Sequence, residues 1–187
     1  MAADAPRSMT IPLTAFAAGG VVAVLLGVYG RQHDPTFEPI WTFGFDSMIA
    51  MKVYLTVAIG VLAVLQVLGA LAIYGKLGFS APSWLGAAHR LSGILAILLT
   101  LPVAYHCLWS LGFAAPESPG RVVAHSVAGC AVYGALVVKV VAVRANRAPG
   151  WMLPVAGGLL FSVVVVAVWT SAVWYLREVG LPSSGGY

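Results

Sequence analysis

The chain has 187 residues, of which 60% are hydrophobic and only 9% charged, and its formal net charge is +4 at pH 7. Soluble domains carry about 25% charged residues, so this composition excludes a water-soluble fold. The basic residues are scattered near the ends of apolar runs rather than gathered in a stripe, which argues against nucleic-acid binding and favours a lipid bilayer as the partner.

Five apolar runs follow one another along the chain, separated by segments containing Gly, Pro, Ser or charged residues. A helix needs about 20 apolar residues to cross the hydrocarbon core of a membrane. We therefore predict an all-α, polytopic membrane helix bundle in which residues 1–187 form a single transmembrane domain. The predicted spans are approximately 10–29, 47–74, 86–113, 121–143 and 151–176.

The distribution of lysine and arginine predicts the orientation of this bundle. One face carries or adjoins five basic residues: Arg7, Lys76, Arg90, Arg144 and Arg147. On the opposite face, three arginines are accompanied by acidic residues: Arg31, Arg121 and Arg177, with Asp34, Glu38, Asp46, Glu117 and Glu178. We predict that the N-terminus is cytoplasmic and the C-terminus outside.

Ionisable residues inside a membrane are costly, so each one is a functional candidate. The histidines are His89 and His106 in the third span and His125 in the fourth. Lys52 and Lys139 lie near enough to span ends for their ammonium groups to reach the interface. Gln66, near the middle of the second span, is expected to form a hydrogen bond with a neighbouring helix.

His106 and His125 have matching depths in a predicted antiparallel hairpin of spans three and four. His106 lies 11 residues before Glu117, the centre of the connecting loop, and His125 lies 8 residues after it. At ~1.5 Å per residue their depths differ by only about 4 to 5 Å. Two imidazoles at one depth are suited to the two axial positions of one haem b, with the histidines as its metal ligands.

The neighbours of these histidines fit a flat prosthetic group. Gly129 lies one turn beyond His125, and Pro102 one turn before His106, where it frees a carbonyl and bends the helix. Arg121, one turn on the outer side of His125, is placed to pair with a haem propionate. In the alternative interpretation, Gly129 and Pro102 serve only helix packing.

His89 does not support a second haem. It lies 17 residues before His106, which is about 26 Å along the helix and roughly 260° around it, so the two do not share a face. The fourth span has no second histidine near Val140. His89 and Arg90 instead open the third span, where capping, snorkelling or contact with a quinone or lipid headgroup are the alternatives.

A small-metal interpretation groups His33, His106 and His125, with the Cys107 thiol, as ligands for copper or zinc. His33 lies in the loop between spans one and two, and an ordinary solvated role is the simpler interpretation for it. Cys107 and Cys130 are not expected to form a disulfide, because the hairpin separates them by about 6 Å or more in depth.

Three segments carry a resemblance to a known group of proteins: AHRLSGILAILLTLPVAYHCLWSLGF, RVVAHSVAGCAVYGALVVK and LPVAGGLL. They resemble a family of uncharacterised five-helix bacterial membrane proteins that is itself similar to the b-type cytochrome and ferric-reductase transmembrane superfamily. The resemblance implies a histidine-ligated haem at His106 and His125 in a bacterial plasma membrane. That superfamily commonly has four haem histidines, whereas only three lie in spans here. The HRLSG segment, beginning at His89, also resembles the quinone-side signature of the succinate dehydrogenase membrane anchor.

The sequence thus favours a membrane electron-transfer protein, a b-type cytochrome with one bis-histidine haem near the outer face. Electrons would pass between a quinol or membrane donor and a redox protein or larger complex at the outer surface, with the loop 32–46 as the docking site. The alternatives are a non-catalytic accessory or anchor subunit of a larger membrane complex and a metal-handling or small-solute membrane protein. The scarcity of buried carboxylates and of internal repeats argues against the last.

Overall fold

The computed structural model describes residues 9–182, and every regular element in that range is helical. Five helices are each long and apolar enough to span a membrane. They are α1 (Thr10–Gln32), α2 (Met48–Ile73), α3 (Leu85–Ser110), α4 (Gly120–Arg144) and α5 (Met152–Glu178). The prediction of an all-α, five-span, multi-pass membrane protein is confirmed, with bounds that agree to within a few residues. Arg7 lies outside the described residues, and the orientation stays a prediction.

The helices pack in an order that differs from their order in the chain. Close packing joins α1 to α4, α4 to α5, α5 to α2, and α2 to α3. We call the end of the bundle that holds the loops 33–47 and 111–119 the outer end, following the predicted orientation. The prediction of a hairpin of spans three and four as direct neighbours needs modification, because α3 packs mainly along α2.

Side chains rather than close backbones connect α3 to α4. The Tyr133 hydroxyl donates a hydrogen bond to Thr100 Oγ1 at 3.0 Å, and the Ala114 N–H donates one to Ser126 Oγ at 3.2 Å. Between these polar contacts, Leu99 and Val103 of α3 pack against a buried apolar cluster of Ile59, Val132 and Val164. The wider separation of α3 and α4 therefore holds most of the polar side chains described below.

Glycine allows α1 and α4 to approach closely. A Cβ atom added at Gly19 would lie 2.5 Å from the Gly134 carbonyl oxygen, and one added at Gly134 would lie 2.5 Å from the Gly19 carbonyl oxygen. No larger residue fits either position without separating the helices. Close contact of this kind stabilises helix pairs in lipid, where apolar side chains gain little by leaving the bilayer.

Two helices contain a π-helical turn near the outer end. In α3 the turn is His106–Ser110, and in α5 it is Trp169–Val173. In α3 the turn follows Pro102, whose ring removes a backbone donor from the helix. Single π-helical turns inside α-helices occur frequently at functional sites, and these two flank the polar residues of the outer half of the bundle.

Candidate functional site

His106 is completely buried at the start of the π-helical turn of α3. Its Nδ1 lies 2.8 Å from the Pro102 carbonyl oxygen. Because a carbonyl can only accept, Nδ1 donates this hydrogen bond and Nε2 keeps its lone pair. Nε2 is buried and has no hydrogen-bond partner among residues 9–182. Such an atom is costly unless something binds to it.

His125 has a similar arrangement on α4. Its Nδ1 lies 3.2 Å from the Ala167 carbonyl oxygen and 3.3 Å from Thr170 Oγ1, both on α5. The Thr170 hydroxyl donates to the Val166 carbonyl, so its oxygen is free to accept from the imidazole. Nδ1 therefore carries the proton in His125 too, and its Nε2 is directed to the bundle interior.

These two histidines have the chemistry of metal ligands. A histidine that binds metal through one ring nitrogen usually donates the other N–H to a carbonyl or carboxylate, which fixes its tautomer and ring orientation. His106 and His125 both meet this condition, so the donor set fits a haem iron. The two residues also lie at one level, because Cys107, the neighbour of His106, contacts His125.

The side chain that the structure places against His125 is that of Cys107. Its Sγ lies 3.9 Å from His125 Nε2, whereas the His106 ring contacts Trp41 edge-on, with 5.7 Å between ring centroids. Lys52 of α2 is close enough to the Cys107 thiol to act on it electrostatically. A thiol and an ammonium group thus accompany the two imidazoles, which the matching depths alone did not reveal.

Arg121 is anchored to α5. It donates a hydrogen bond from Nη1 to the Thr170 carbonyl oxygen at 2.6 Å, and its guanidinium carbon lies 3.6 Å from the centroid of the Trp174 ring. A pocket of about 180 Å³ opens beside it, lined also by Arg177. Pairing of Arg121 with a propionate stays a prediction, and the structure gives this arginine a second role in fastening α4 to α5.

Gly129 faces open space. A Cβ atom added there would meet nothing within 4 Å. The missing side chain therefore leaves room beside α4, one turn inward from His125, and tight helix packing does not explain this glycine.

The small-metal interpretation has no support from the structure. In the described part of the chain, no group of three or more His, Cys, Asp or Glu side chains is placed to hold a metal ion. His33 stacks between Tyr29 and Trp109, with ring centroids 5.4 and 4.2 Å away. The cysteines Cys107 and Cys130 are both free, as predicted.

A second polar cluster lies toward the inner end. Gln66 Nε2 donates to the His89 carbonyl oxygen at 2.7 Å and to Ser92 Oγ at 2.8 Å, which confirms that Gln66 bonds a neighbouring helix. The His89 ring packs over Gly69, and its Nδ1 is buried and without a partner in the described region. Lys139 is near enough to His89 for electrostatic interaction.

The proximity of Lys139 to His89 was missed from the sequence, although the same depth argument could have found it. Lys139 lies 14 residues after His125, and His89 lies 17 residues before His106. The two therefore lie about 21 and 26 Å inward from the outer pair along antiparallel helices. Comparing only histidines left Lys139 out of the argument.

The fold and these two polar clusters define a polytopic all-α membrane protein with ionisable groups inside its spans. Residues 10–183 match a family of unknown function (DUF6529), and the chain belongs to that family. The match shows no relationship to b-type cytochromes or ferric reductases. No curated protein and no solved structure matches the chain.

Proposed function

We propose that this protein is a membrane electron-transfer cytochrome that holds one b-type haem with His106 and His125 as axial ligands. The observation that carries the proposal is the buried, unpartnered Nε2 of His106, whose Nδ1 donates to the Pro102 carbonyl. A bound haem would supply reversible one-electron chemistry. Two histidine ligands leave no open iron position, which favours electron relay over oxygen chemistry.

The chain's own residues would orient the group and keep water from it. Pro102 fixes the His106 ring, and Ala167 with Thr170 fixes the His125 ring. Trp41 and Tyr105 cover His106 from the outer side, with 5.2 Å between their ring centroids. Gly129 leaves space along α4. Cys107 must share the space in front of His125 with any group that the imidazole binds.

The inner cluster is our candidate for contact with a quinol from the membrane. The ammonium of Lys139 and the ring nitrogen of His89 are hydrogen-bonding groups of the kind that a quinol headgroup oxygen requires, and Gln66 positions the backbone of α3 beside them. Electrons would then leave toward a redox protein or larger complex at the outer end. We place this activity in a bacterial plasma membrane.

An accessory or anchor subunit is the second candidate function. The hydrogen bonds from His125 to Ala167 and Thr170 cross from α4 to α5, so this imidazole also serves helix association without any cofactor. Such a protein would hold a larger complex in the membrane and would carry no colour.

A difference absorbance spectrum separates the two candidates. The protein is purified in detergent after expression with haem supply, and its dithionite-reduced spectrum is compared with the air-oxidised one, together with a pyridine haemochrome assay. We expect sharp b-type bands and about one haem per chain. A colourless protein would exclude the cytochrome and leave the accessory subunit.

A further inference from the structure

We propose that the outer loop, residues 33–47, is a docking surface for a protein partner that presents a lysine- or arginine-rich patch. The purpose of this surface, electron transfer at the outer end, rests on the proposed function, whereas the binding itself needs no haem. Three properties of the loop carry the inference: its charge, its exposed aromatic rings and its contact with His106.

The charge of the outer loop is opposite to that of the whole chain. It contains three carboxylates, Asp34, Glu38 and Asp46, and no lysine or arginine, although the chain has a formal charge of +4. All three carboxylates are exposed. A surface of one sign attracts a partner of the opposite sign and speeds its association.

Two exposed phenylalanines lie among these carboxylates. Phe37 is 69% exposed and Phe43 is 64% exposed, and their φ angles are +56° and +51°, in the left-handed region that bulky side chains rarely adopt. Each such residue costs on the order of 1–3 kcal/mol and persists only where its surroundings hold it. The loop therefore keeps two apolar rings at the surface at a cost in stability.

Hydrogen bonds to Ser110 hold the loop against the π-helical turn of α3. The Phe37 N–H donates to the Ser110 carbonyl oxygen at 2.9 Å, and the Ser110 hydroxyl donates to the Glu38 carbonyl oxygen at 2.8 Å. Ser110 is itself completely buried. The loop is thus an ordered part of the outer end.

The outer loop reaches the buried site directly through Trp41. One face of the loop is exposed, and the ring of Trp41, itself partly exposed, meets the edge of the His106 imidazole. A partner on the loop would therefore lie one aromatic ring from a fully buried imidazole whose Nε2 has no partner among the described residues.

A protein fits this surface better than a lipid headgroup layer does. Segments that lie in the membrane interface combine aromatic or aliphatic rings with lysine and arginine, which are attracted to anionic lipids. Here the rings are combined only with carboxylates. Apolar residues at the centre and charges around them are the arrangement found in protein interfaces.

Binding is tested with the full chain in nanodiscs of neutral phosphatidylcholine. The probe is a basic c-type cytochrome, and its matched control is the same cytochrome with acetylated lysines. Affinities are measured by isothermal titration calorimetry at low and high salt. We expect binding of the basic probe that weakens with salt, and at least about tenfold weaker binding of the acetylated probe, which corresponds to about 1.4 kcal/mol.

Variants locate the surface. The triple variant Asp34→Asn, Glu38→Gln, Asp46→Asn should weaken binding about tenfold or more, whereas Glu117→Gln, at the same end of the bundle, should change it less than twofold. Phe37→Ala should weaken binding at constant salt dependence. Thermal unfolding of each variant checks the fold. Equal affinity of the triple variant and the parent would overturn the proposal.

The experiment also separates this proposal from the cytochrome assignment. A colourless protein that binds the basic probe through the outer loop supports the docking surface and excludes the haem. A red protein whose triple variant binds normally overturns the docking surface alone. Quenching of Trp41 fluorescence by brominated phosphatidylcholine would show the loop in contact with lipid and overturn it as well.

Discussion

The Nε2 atom of His125 lies 3.9 Å from the Cys107 sulfur, and this contact joins α4 to the π-helical end of α3. It places a thiol in front of one proposed haem ligand, next in sequence to the other. The identity of the second ligand is therefore the first question for experiment. His106 is the better candidate, because its Nδ1 is fixed by a carbonyl and its Nε2 has no other partner within residues 9–182.

Removal of either proposed axial ligand should remove the haem. We expect His106→Ala and His125→Ala to lower the haem content to near zero, since a single histidine holds the iron weakly, whereas His89→Ala should keep it. The pyridine haemochrome assay per mole of chain measures this directly. Full haem content in both single variants would contradict the assignment.

Replacement of Cys107 by serine should leave a haem protein. If the iron is held by two imidazoles, Cys107→Ser keeps the low-spin spectrum, and so does the control Cys130→Ser at the other free cysteine. Absorbance and electron paramagnetic resonance spectra of the oxidised protein measure the ligand type. Loss of the spectrum in Cys107→Ser alone would move the second ligand from His106 to Cys107.

A side chain at Gly129 should interfere with the haem but not with the fold. Because a Cβ atom at this position meets nothing, Gly129→Leu should leave the thermal stability of the haem-free protein unchanged while lowering its haem content. Gly157→Leu, at another open position on α5, is the control. Normal haem content in Gly129→Leu would show that the open space at this glycine is not part of the haem site.

Arg121 should stabilise the protein through α5 whether or not haem is bound. Arg121→Gln loses the hydrogen bond to the Thr170 carbonyl and the contact with Trp174, together about 1–3 kcal/mol at a partly buried site. We expect a lower unfolding temperature in detergent, and little change in Arg177→Gln, which alters an exposed arginine at the same end. Equal unfolding temperatures for the two variants would rule out the anchoring role.

The contact between α1 and α4 should tolerate no added methyl group. Gly19→Ala would press its Cβ against the Gly134 carbonyl, and overpacking of this kind costs about 1–3 kcal/mol. Gly20→Ala, one residue along the same helix, adds its Cβ to open space and should be neutral or slightly stabilising. Thermal unfolding compares the two, and an equal effect of both would refute the close contact.

The sequence by itself determined the class of fold and the depth of the candidate residues. Five spans were predictable because hydrophobic runs and the constant rise of a helix are local properties. The same rise placed His106 and His125 at one level, which the contact of Cys107 with His125 bears out. Gln66 was recognisable as an interhelical donor, because a polar amide deep in a span needs a partner.

Only the tertiary structure decided which helices are neighbours and which way their side chains face. The π-helical turn His106–Ser110 changes the rotation of the residues within and after it, so no constant helical period predicts that Cys107 meets His125. The packing of α3 along α2 and the fold of the loop 33–47 over His106 depend on contacts between residues distant in the chain. Hydrophobic pattern fixes the depth of a residue, whereas its lateral neighbours follow from the mutual packing of the helices.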